Sequence, residues 1–501
     1  MGGEGARRSK RINAPTQEDA GPEGSKIRVG KTEAGDGKPM TTMTSAKPLI
    51  MPNEVSLGAM PLPGHLLPVP GTGPRWLREL RERSLARFNE LGLPTTRHEE
   101  WKYTSLRAIA DVAFSLAMDD EQTVSADAVA ASSLPGVEGH RLVFINGRYS
   151  AELSARPDDL PAAVTALPLE EALHSHEALV REHLNRHARA DDDAFASLNA
   201  ALLDQGVCIV VGKNARIDEP IILLNITTGT DRAIITNPRT LIIVEEGGQA
   251  TVVEDYICLG DQDYNYLTNA VTEFVVGASA EAHHYMIERE SMGAFNISTL
   301  AVNQQRDSRF SSHTALFGGR IVRNNVNPVI DGENVYSMLN GLYVGRGDQH
   351  LDSHMRVEHR KAHCGSRQYY KGILADRSRG VFTGRIIVSQ AAQKTDAVQS
   401  NQNLLLSADA QAQTRPQLEI YADDVKCTHG ATIGQLNEDA MFYLRSRGMP
   451  PEAARALLVY AFAGESLERM ENESIRNAVR GLLLDRLPDS RMLVDVVNED
   501  A

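Results

Sequence analysis

The chain has 501 residues, and its 52 Lys and Arg against 66 Asp and Glu give a formal net charge of −14. This length predicts more than one domain, and the acidic balance argues against nucleic acids and anionic membranes as partners. No stretch approaches 18 consecutive apolar residues, so we expect no membrane-spanning helix.

The N-terminus and the cysteines together predict a cytoplasmic location. Residues 1–15 are basic but lack the apolar segment of a secretory signal. The cysteines are widely spaced and form no CxxC pair, which excludes zinc ribbons and thioredoxin-type motifs and favours a reducing compartment. They are Cys208, Cys258, Cys364 and Cys427.

Residues 1–70 are predicted to be a disordered N-terminal extension. They are rich in Gly, Pro, Ser, Lys and Glu and hold too few large apolar side chains to offset the entropy of ordering. Met43, Met51 and Met60 are alternative starts, so the translation of residues 1–42 stays open.

Residues 71–205 are predicted to form a mainly helical N-terminal domain with one β-hairpin. A helical pattern begins near Pro74 and ends at Gly92 and Pro94. Residues 141–154 alternate around Asn146-Gly147, which predicts a hairpin turn at this dipeptide.

Residues 206–436 are predicted to be a continuous β region. Short runs of Val, Ile, Leu, Tyr and Phe are separated there by Gly, Asp and Asn. A sandwich of this length would normally split into two domains, and a propeller should show blade-length repeats, which we do not find. A solenoid tolerates loose repeats, because each coil only has to stack on its neighbour. The pattern favours a solenoid and leaves the other two architectures open.

The C-terminal part is predicted to be a helical domain over 437–486, followed by a tail over 487–501. Helices are expected at 437–446, 451–463 and 465–485, with the second junction at Gly464. The second helix is apolar almost all round, so it should be buried against something.

Cys427 and His429 are candidate metal ligands where the β region gives way to helix. Positions i and i+2 of a strand point to the same face, and iron accepts both thiolate and imidazole. The competing interpretation is a buried apolar cysteine beside a surface histidine. Two ligands also do not complete a site, since tetrahedral zinc or iron needs four. A partner chain would have to supply the others.

A second cluster of possible ligands lies in HLDSHMRVEHRKAHC. Its members are His350, His354, His359, His363 and Cys364. Along a continuous strand the first two histidines face one side and the next two face the other, which argues against one shared site. The alternative is a set of imidazoles on a polar solenoid face.

Several catalytic motifs are absent from the sequence. There is no G-x-x-x-x-G-K-[ST] loop, so the chain should not bind and hydrolyse ATP by itself. A dinucleotide-binding G-x-G-x-x-G after a strand, a G-x-S-x-G elbow and an H-E-x-x-H helix are also missing.

Several segments of the chain resemble those of a known family. YADDVKCTHGATIGQ at 421–435, followed by FYLRSRGM at 442–449, resembles the C-terminal signature of the SufB/SufD family of iron–sulfur cluster assembly proteins. The resemblance continues upstream through 394–420 and 366–376, while RHEEWKYTSL at 97–106 resembles the N-terminal block of the SufD branch. SufB-type sequences carry an acidic residue after the histidine position, whereas Gly430 follows His429 here, which favours SufD.

The resemblance implies a mainly β fold, with a right-handed parallel β-helix core flanked by N-terminal and C-terminal helical domains. It implies a non-catalytic scaffold subunit that pairs with a SufB-like subunit through the β-helix and binds the ABC-type ATPase SufC through its C-terminal helices. Cys427 and His429 match positions near the interface with SufB, where iron or the nascent cluster is held. The segment resembling the SufC-docking region contains Phe442, Tyr443, Arg445 and Arg447.

The resemblance implies no cofactor in the isolated chain and a transient iron ion or iron–sulfur cluster in the complex. It leaves open a flavin in the complex, a homodimer of the isolated chain, the stoichiometry, and the roles of Cys208, Cys258 and Cys364. It also leaves open whether Cys427 holds iron, persulfide or cluster.

A β-solenoid carbohydrate lyase or hydrolase is the alternative from another class. Such enzymes need carboxylates that converge on one cleft. The acids of the second half of the β region are dispersed along the chain, which argues against this alternative. They are Asp331, Glu333, Asp352 and Asp376.

Overall fold

The computed structural model describes residues 73–117, 124–155, 160–188, 190–229, 232–260 and 263–487. The expected disordered extension at 1–70 lies outside the described residues, as does the expected tail beyond residue 487. Among the residues that are described, no helix is both long and apolar enough to cross a membrane.

Helices lie at the two ends of the described chain. They are α1 Arg75–Leu91, α2 Arg107–Ala110, α3 Ala126–Ser132, α4 Leu169–Ser175, α5 Glu177–His183, α6 Ala194–Ala201, α7 Glu438–Ser446, α8 Pro451–Leu467 and α9 Glu473–Arg486.

Strands occupy most of the chain between α6 and α7. The strands are β1 Ser115–Leu116, β2 His140–Ile145, β3 Arg148–Ala155, β4 Val164–Pro168, β5 Val207–Val211, β6 Ile221–Thr228, β7 Ile234–Thr236, β8 Arg239–Val244, β9 Gln249–Leu259, β10 Tyr266–Val276, β11 Glu281–Arg289, β12 Phe295–Gln304, β13 Arg309–Leu316, β14 Ile321–Ile330, β15 Tyr336–Gly345, β16 His350–His359, β17 Gly365–Leu374, β18 Arg379–Val388, β19 Asp396–Leu405, β20 Gln411–Ile420 and β21 Lys426–Gly434.

From β8 onward, consecutive strands alternate between two parallel sheets. Sheet A has the order β20-β18-β16-β14-β12-β10-β8-β5-β4, and sheet B has the order β21-β19-β17-β15-β13-β11-β9-β6-β2-β3. Ile321, His350 and Arg379 stack in register at intervals of 29 residues. This is a parallel β-solenoid of about seven turns, so the expected parallel β-helix is confirmed and the sandwich and propeller are excluded.

The solenoid is filled by apolar side chains from the inward-facing positions of both sheets, such as Phe274, Phe310, Leu339 and Phe382. Helices cover the outer faces, so most strands are buried on both sides. Strands buried on both faces read as nearly continuous apolar runs rather than as alternating patterns. This explains why the sequence showed β character without a clear inward and outward face.

The two helical regions cover different sheets. N-terminal side chains such as Phe88, Trp101 and Phe195 pack on the outer face of sheet A. On sheet B, Val459 and Ala463 of α8 pack against the outer face. The burial predicted for the apolar second C-terminal helix is confirmed, and its partner is the chain's own solenoid.

The hairpin expected around Asn146-Gly147 is confirmed. Strands β2 and β3 are antiparallel, and the turn residues have positive φ angles of 50° and 82°. This pair of left-handed residues is what the twist of a two-residue hairpin requires. The hairpin is also part of the solenoid, because β2 pairs in parallel with β6.

The junction expected at Gly464 is wrong. Helix α8 continues through Gly464 to Leu467, and α9 begins only after Asn472. A glycine inside a helix costs about 1 kcal/mol, which the packing of α8 on sheet B can offset. The start signal is Asn472, whose side-chain oxygen accepts the Ile475 N–H at 3.0 Å.

Candidate functional site at the open end of the solenoid

Cys427 and His429 lie on β21, the last strand of sheet B. Within the described chain β21 pairs with β19 alone, so its other edge has no strand beside it. Strand β20 has the same position at the end of sheet A. The two candidate ligands therefore lie on the final coil, where the solenoid is open.

The register shows which way the pair faces. Cys427 is the partner of Ala397 on β19, and His429 is the partner of Gln399. Ala397 and Gln399 are buried inward-facing residues of the coil below. Cys427 and His429 thus continue the inward-facing row, but they stand where no further coil covers them.

Burial differs along this row and affects its chemistry. His429 is exposed, whereas Cys427 is half-buried and packs against the apolar interior. Burial raises the pKa of the Cys427 thiol, and the nearby Asp396 carboxylate raises it further. The thiol is therefore protonated at neutral pH in the isolated chain, and a bound cation would displace its proton.

The pair does not make a complete metal site. The structure describes one group of three His, Cys, Asp or Glu side chains close enough to hold an ion, namely Glu281, His283 and Glu471, and it does not include Cys427 or His429. Cys427 and His429 could supply two of the usual four ligands at the open end. The missing ligands would have to come from another molecule.

The open end also exposes apolar side chains. Ile420 and Tyr421 follow one another at the end of β20, and Ile433 lies near the end of β21, with exposures of 38%, 64% and 47%. Unpaired strand edges with exposed apolar residues are surfaces that a partner strand or sheet can continue. Pro416 on β20 removes one backbone donor from this edge.

Helix α7 follows directly and is largely exposed, with Ala440, Met441 and Leu444 only half-buried. It contains no buried residue, and Phe442 and Tyr443 are 73% and 56% exposed. Arg447 lies 5.2 Å from the centre of the Tyr443 ring, and Arg445 is exposed in the last turn. Two aromatic and two cationic side chains are thus presented by α7 and the residue that follows it.

Comparison with known proteins gives the family. The SufBD core domain of the SUF system of FeS cluster assembly matches residues 226–462, and the SufBD protein N-terminal region matches residues 72–223. An iron–sulfur cluster assembly SufBD family protein of Synechocystis is 35% identical over 82% of this chain and 91% of its own length. The chain belongs to the SufBD family.

Two further relatives carry a more specific name. The iron–sulfur cluster assembly protein SufD of Escherichia coli is 33% identical over 81% of this chain and 92% of its own length. The protein of the same name from Bacillus subtilis is 25% identical over 80% of this chain and 92% of its own length. The resemblance to the SufB/SufD family is confirmed, and the carbohydrate lyase is excluded.

In this SufBD chain the histidine-rich segment does not form one site. His350 and His354 face the N-terminal segment, while His359 faces the solenoid interior and lies 2.9 Å from the Ser366 hydroxyl. The parity argument is confirmed for these three histidines and is wrong for His363, because β16 ends at His359 and His363 is an exposed loop residue with a φ of 60°. The alternative of imidazoles on a polar face is wrong for His354 and His359, which are buried, and burial lowers the pKa of His354 to about 3.

RHEEWKYTSL attaches the N-terminal segment to sheet A. The guanidinium of Arg323 lies 3.9 Å from the centre of the Trp101 ring, and it donates to Asp352 at 2.6 Å. The Thr104 hydroxyl donates to the same Asp352 oxygen at 2.6 Å. Sequence reasoning missed this contact, because the partners are more than 200 residues apart and only the aromatic residues in the motif hinted at packing.

Cys208 and Cys258 lie on β5 and β9, far from the open end, whereas Cys364 directly precedes β17, two strands from β21 in sheet B. Cys208 and Cys364 are buried, and Cys258 is half-buried. Burial raises the pKa of Cys208 to about 12 and that of Cys258 to about 11. These thiols are protonated at neutral pH and are poor nucleophiles in the isolated chain.

Proposed function

We propose that this SufBD family chain is a SufD-type, non-catalytic scaffold subunit of iron–sulfur cluster assembly in the cytoplasm. It pairs with a SufB-like subunit, binds a SufC-type ATPase, and helps to acquire iron and form the nascent cluster. The observation that carries this proposal is a thiol and an imidazole on the final strand, facing the axis of an uncovered coil.

The incompleteness of the site supports a shared site. A single-chain metalloprotein would gather three or four ligands, whereas Cys427 and His429 have no third ligand beside them in the described chain. The unpaired edges of β20 and β21 lie on the same coil as the pair. A partner with a similar solenoid could extend the sheets and supply its own ligands across the junction.

The proton on Cys427 suggests how the site stays inactive until assembly. The protonated thiol is a poor metal ligand, so the isolated chain should bind iron weakly. Iron held by partner ligands would lower the pKa of the thiol and release its proton. Iron and cluster are then the cargo of the complex rather than a permanent part of this chain.

The ATPase would dock on α7. The apolar face of α8 is already covered by sheet B, so apolarity of α8 gives no reason to expect a partner there. Phe442 and Tyr443 of α7 are the exposed aromatic residues of the C-terminal helices, and Arg445 and Arg447 lie beside them. The chain has no phosphate-binding loop of its own, so nucleotide hydrolysis would have to be coupled through this contact.

The pairing is tested by co-expression of the chain with a SufB-like and a SufC-type subunit. Tyr421→Asp with Ile433→Asp places two charges on the open end and should abolish co-purification of the SufB-like subunit. Tyr103→Asp is the matched control, because Tyr103 is an exposed aromatic residue on the N-terminal segment. Retention of the SufB-like subunit by the double variant would refute pairing through the open end.

A further inference from the structure

One inward-facing column of sheet B is polar over its last three coils. Leu339, Gln368, Gln399 and His429 occupy one inward-facing column, each in register with the next. Leu339 belongs to the apolar core, and the two glutamines above it are 0% and 1% exposed. Two buried amides therefore lead up to the candidate ligand.

The two amides satisfy only half of their hydrogen-bonding capacity with each other. Gln399 Nε2 donates to Gln368 Oε1 at 2.6 Å, while Gln399 Oε1 and Gln368 Nε2 have no partner. Turning both amides over reverses the bond and again leaves one atom of each unpaired. A buried polar atom without a partner is costly and calls for an explanation.

Stacked amides that bond only to one another would not leave Gln399 Oε1 and Gln368 Nε2 without partners. The next two inward-facing residues along the strand of Gln399 are also polar, and their amides are paired: Asn403 Nδ2 donates to Asn401 Oδ1 at 2.7 Å, and the Tyr343 hydroxyl donates to Asn403 Oδ1 at 2.6 Å. The coil of β19 thus satisfies this amide pair internally, while one atom of Gln399 and one of Gln368 stay unpaired below His429.

The fold reserves space for the Gln399 amide. A Cβ atom at Gly384 would lie 2.2 Å from Gln399 Nε2, so a larger residue there would displace the amide. Gly384 lies beside the Gln399 amide and Gln368 lies below it. The next residue of the column on the open side is His429, which is also the last one.

We propose that Gln399 is a positioning residue that orients the His429 imidazole once a partner covers the final coil, since Gln399 Oε1 has no partner in the described chain. A histidine that binds a metal through one ring nitrogen carries a proton on the other, and an amide carbonyl that accepts this proton fixes the tautomer and the ring orientation. Gln368 holds the Gln399 amide from below. This inference rests on the proposed function in one respect, namely that His429 is a ligand for iron.

The first test uses the metal-free complex, in which the partner covers the final coil. Ring nitrogen chemical shifts of His429, assigned with His429→Gln, report the tautomer at a pH where the imidazole is neutral. One tautomer should dominate in the wild type, and Gln399→Leu should return His429 to a mixture. Gln402→Leu on the same strand is the control, and Gln399→Met serves if the leucine variant unfolds. A mixed tautomer in the wild type, or no change in the Gln399 variants, overturns the proposal.

The second test separates this inference from the proposed function. In the anaerobic complex, removal of Gln399 should weaken Fe²⁺ binding by about 10- to 100-fold. If the tautomer changes but His429→Ala leaves Fe²⁺ affinity unaltered, the ligand role of His429 fails while the positioning by Gln399 stands. If His429→Ala weakens Fe²⁺ binding and Gln399→Leu does not, the positioning role is rejected.

Discussion

The contact between the N-terminal segment and sheet A gives a quantitative prediction for Asp352→Ala. Asp352 is 1% exposed and accepts hydrogen bonds from Arg323 and Thr104, both at 2.6 Å. The substitution leaves the Arg323 side chain, which is 3% exposed, without the carboxylate that pairs with it. Breaking a buried ion pair in this way costs about 3–5 kcal/mol, against a total stability of about 5–15 kcal/mol.

Equilibrium urea denaturation measures this loss. Asp348→Ala is the control, because Asp348 pairs with Arg377 at 2.7 Å on the surface and its loss should have little effect. Replacing both buried partners, as Arg323→Met with Asp352→Leu, removes the stranded charge and should recover much of the stability. A loss below about 1 kcal/mol for Asp352→Ala would refute the view that this ion pair holds the segment to the solenoid.

Three further outcomes are expected. The double variant Phe442→Ala with Tyr443→Ala should abolish co-purification of the SufC-type ATPase. Its unfolding midpoint should not change, because both rings are exposed. Tyr103→Ala is the control, and retention of the ATPase by the double variant contradicts docking on α7. Burial and the neighbouring Glu288 carboxylate raise the pKa of Glu290 to about 8. Neutral Glu290 therefore stabilises the fold at low pH, and this stabilisation is lost as the pH rises from about 4.5 to 8. Glu290→Gln should therefore gain stability relative to the wild type across that window in denaturation curves, and a constant difference contradicts the assignment. Iodoacetamide should modify Cys427 before Cys208, because the Cys208 thiol is more deeply buried. Mass spectrometry after brief alkylation checks this order, and modification of Cys208 before Cys427 would contradict it.

Local patterns predicted the parts of the fold that depend on neighbours in sequence. Asn146-Gly147 predicted its hairpin, and loose apolar runs favoured a solenoid over the alternatives. The junction at Gly464 was wrong, because packing of α8 on sheet B outweighs the low helix propensity of one glycine. Propensity describes the isolated segment, whereas this helix is set by its tertiary contact.

The sequence predicted that Cys427 and His429 act together, but it did not predict where in the fold they lie. The spacing of Cys427 and His429 fixed their common face, and the absence of further ligands suggested a partner. That the pair lies on the last, uncovered coil follows only from the order of strands in sheet B. The burial of His354 likewise depends on a segment from the other end of the chain, which no local pattern reveals.

Iron and acid-labile sulfide in the anaerobically purified complex test the central claim most directly. The complex should be co-expressed with Cys427→Ala and His429→Ala combined, and compared with Thr428→Ala, an exposed residue of β21 that faces the other way. The shared-site account predicts wild-type iron and sulfide in the control and loss of most of both in the double variant, with the subunits still paired. Unchanged iron and sulfide in the double variant would contradict it.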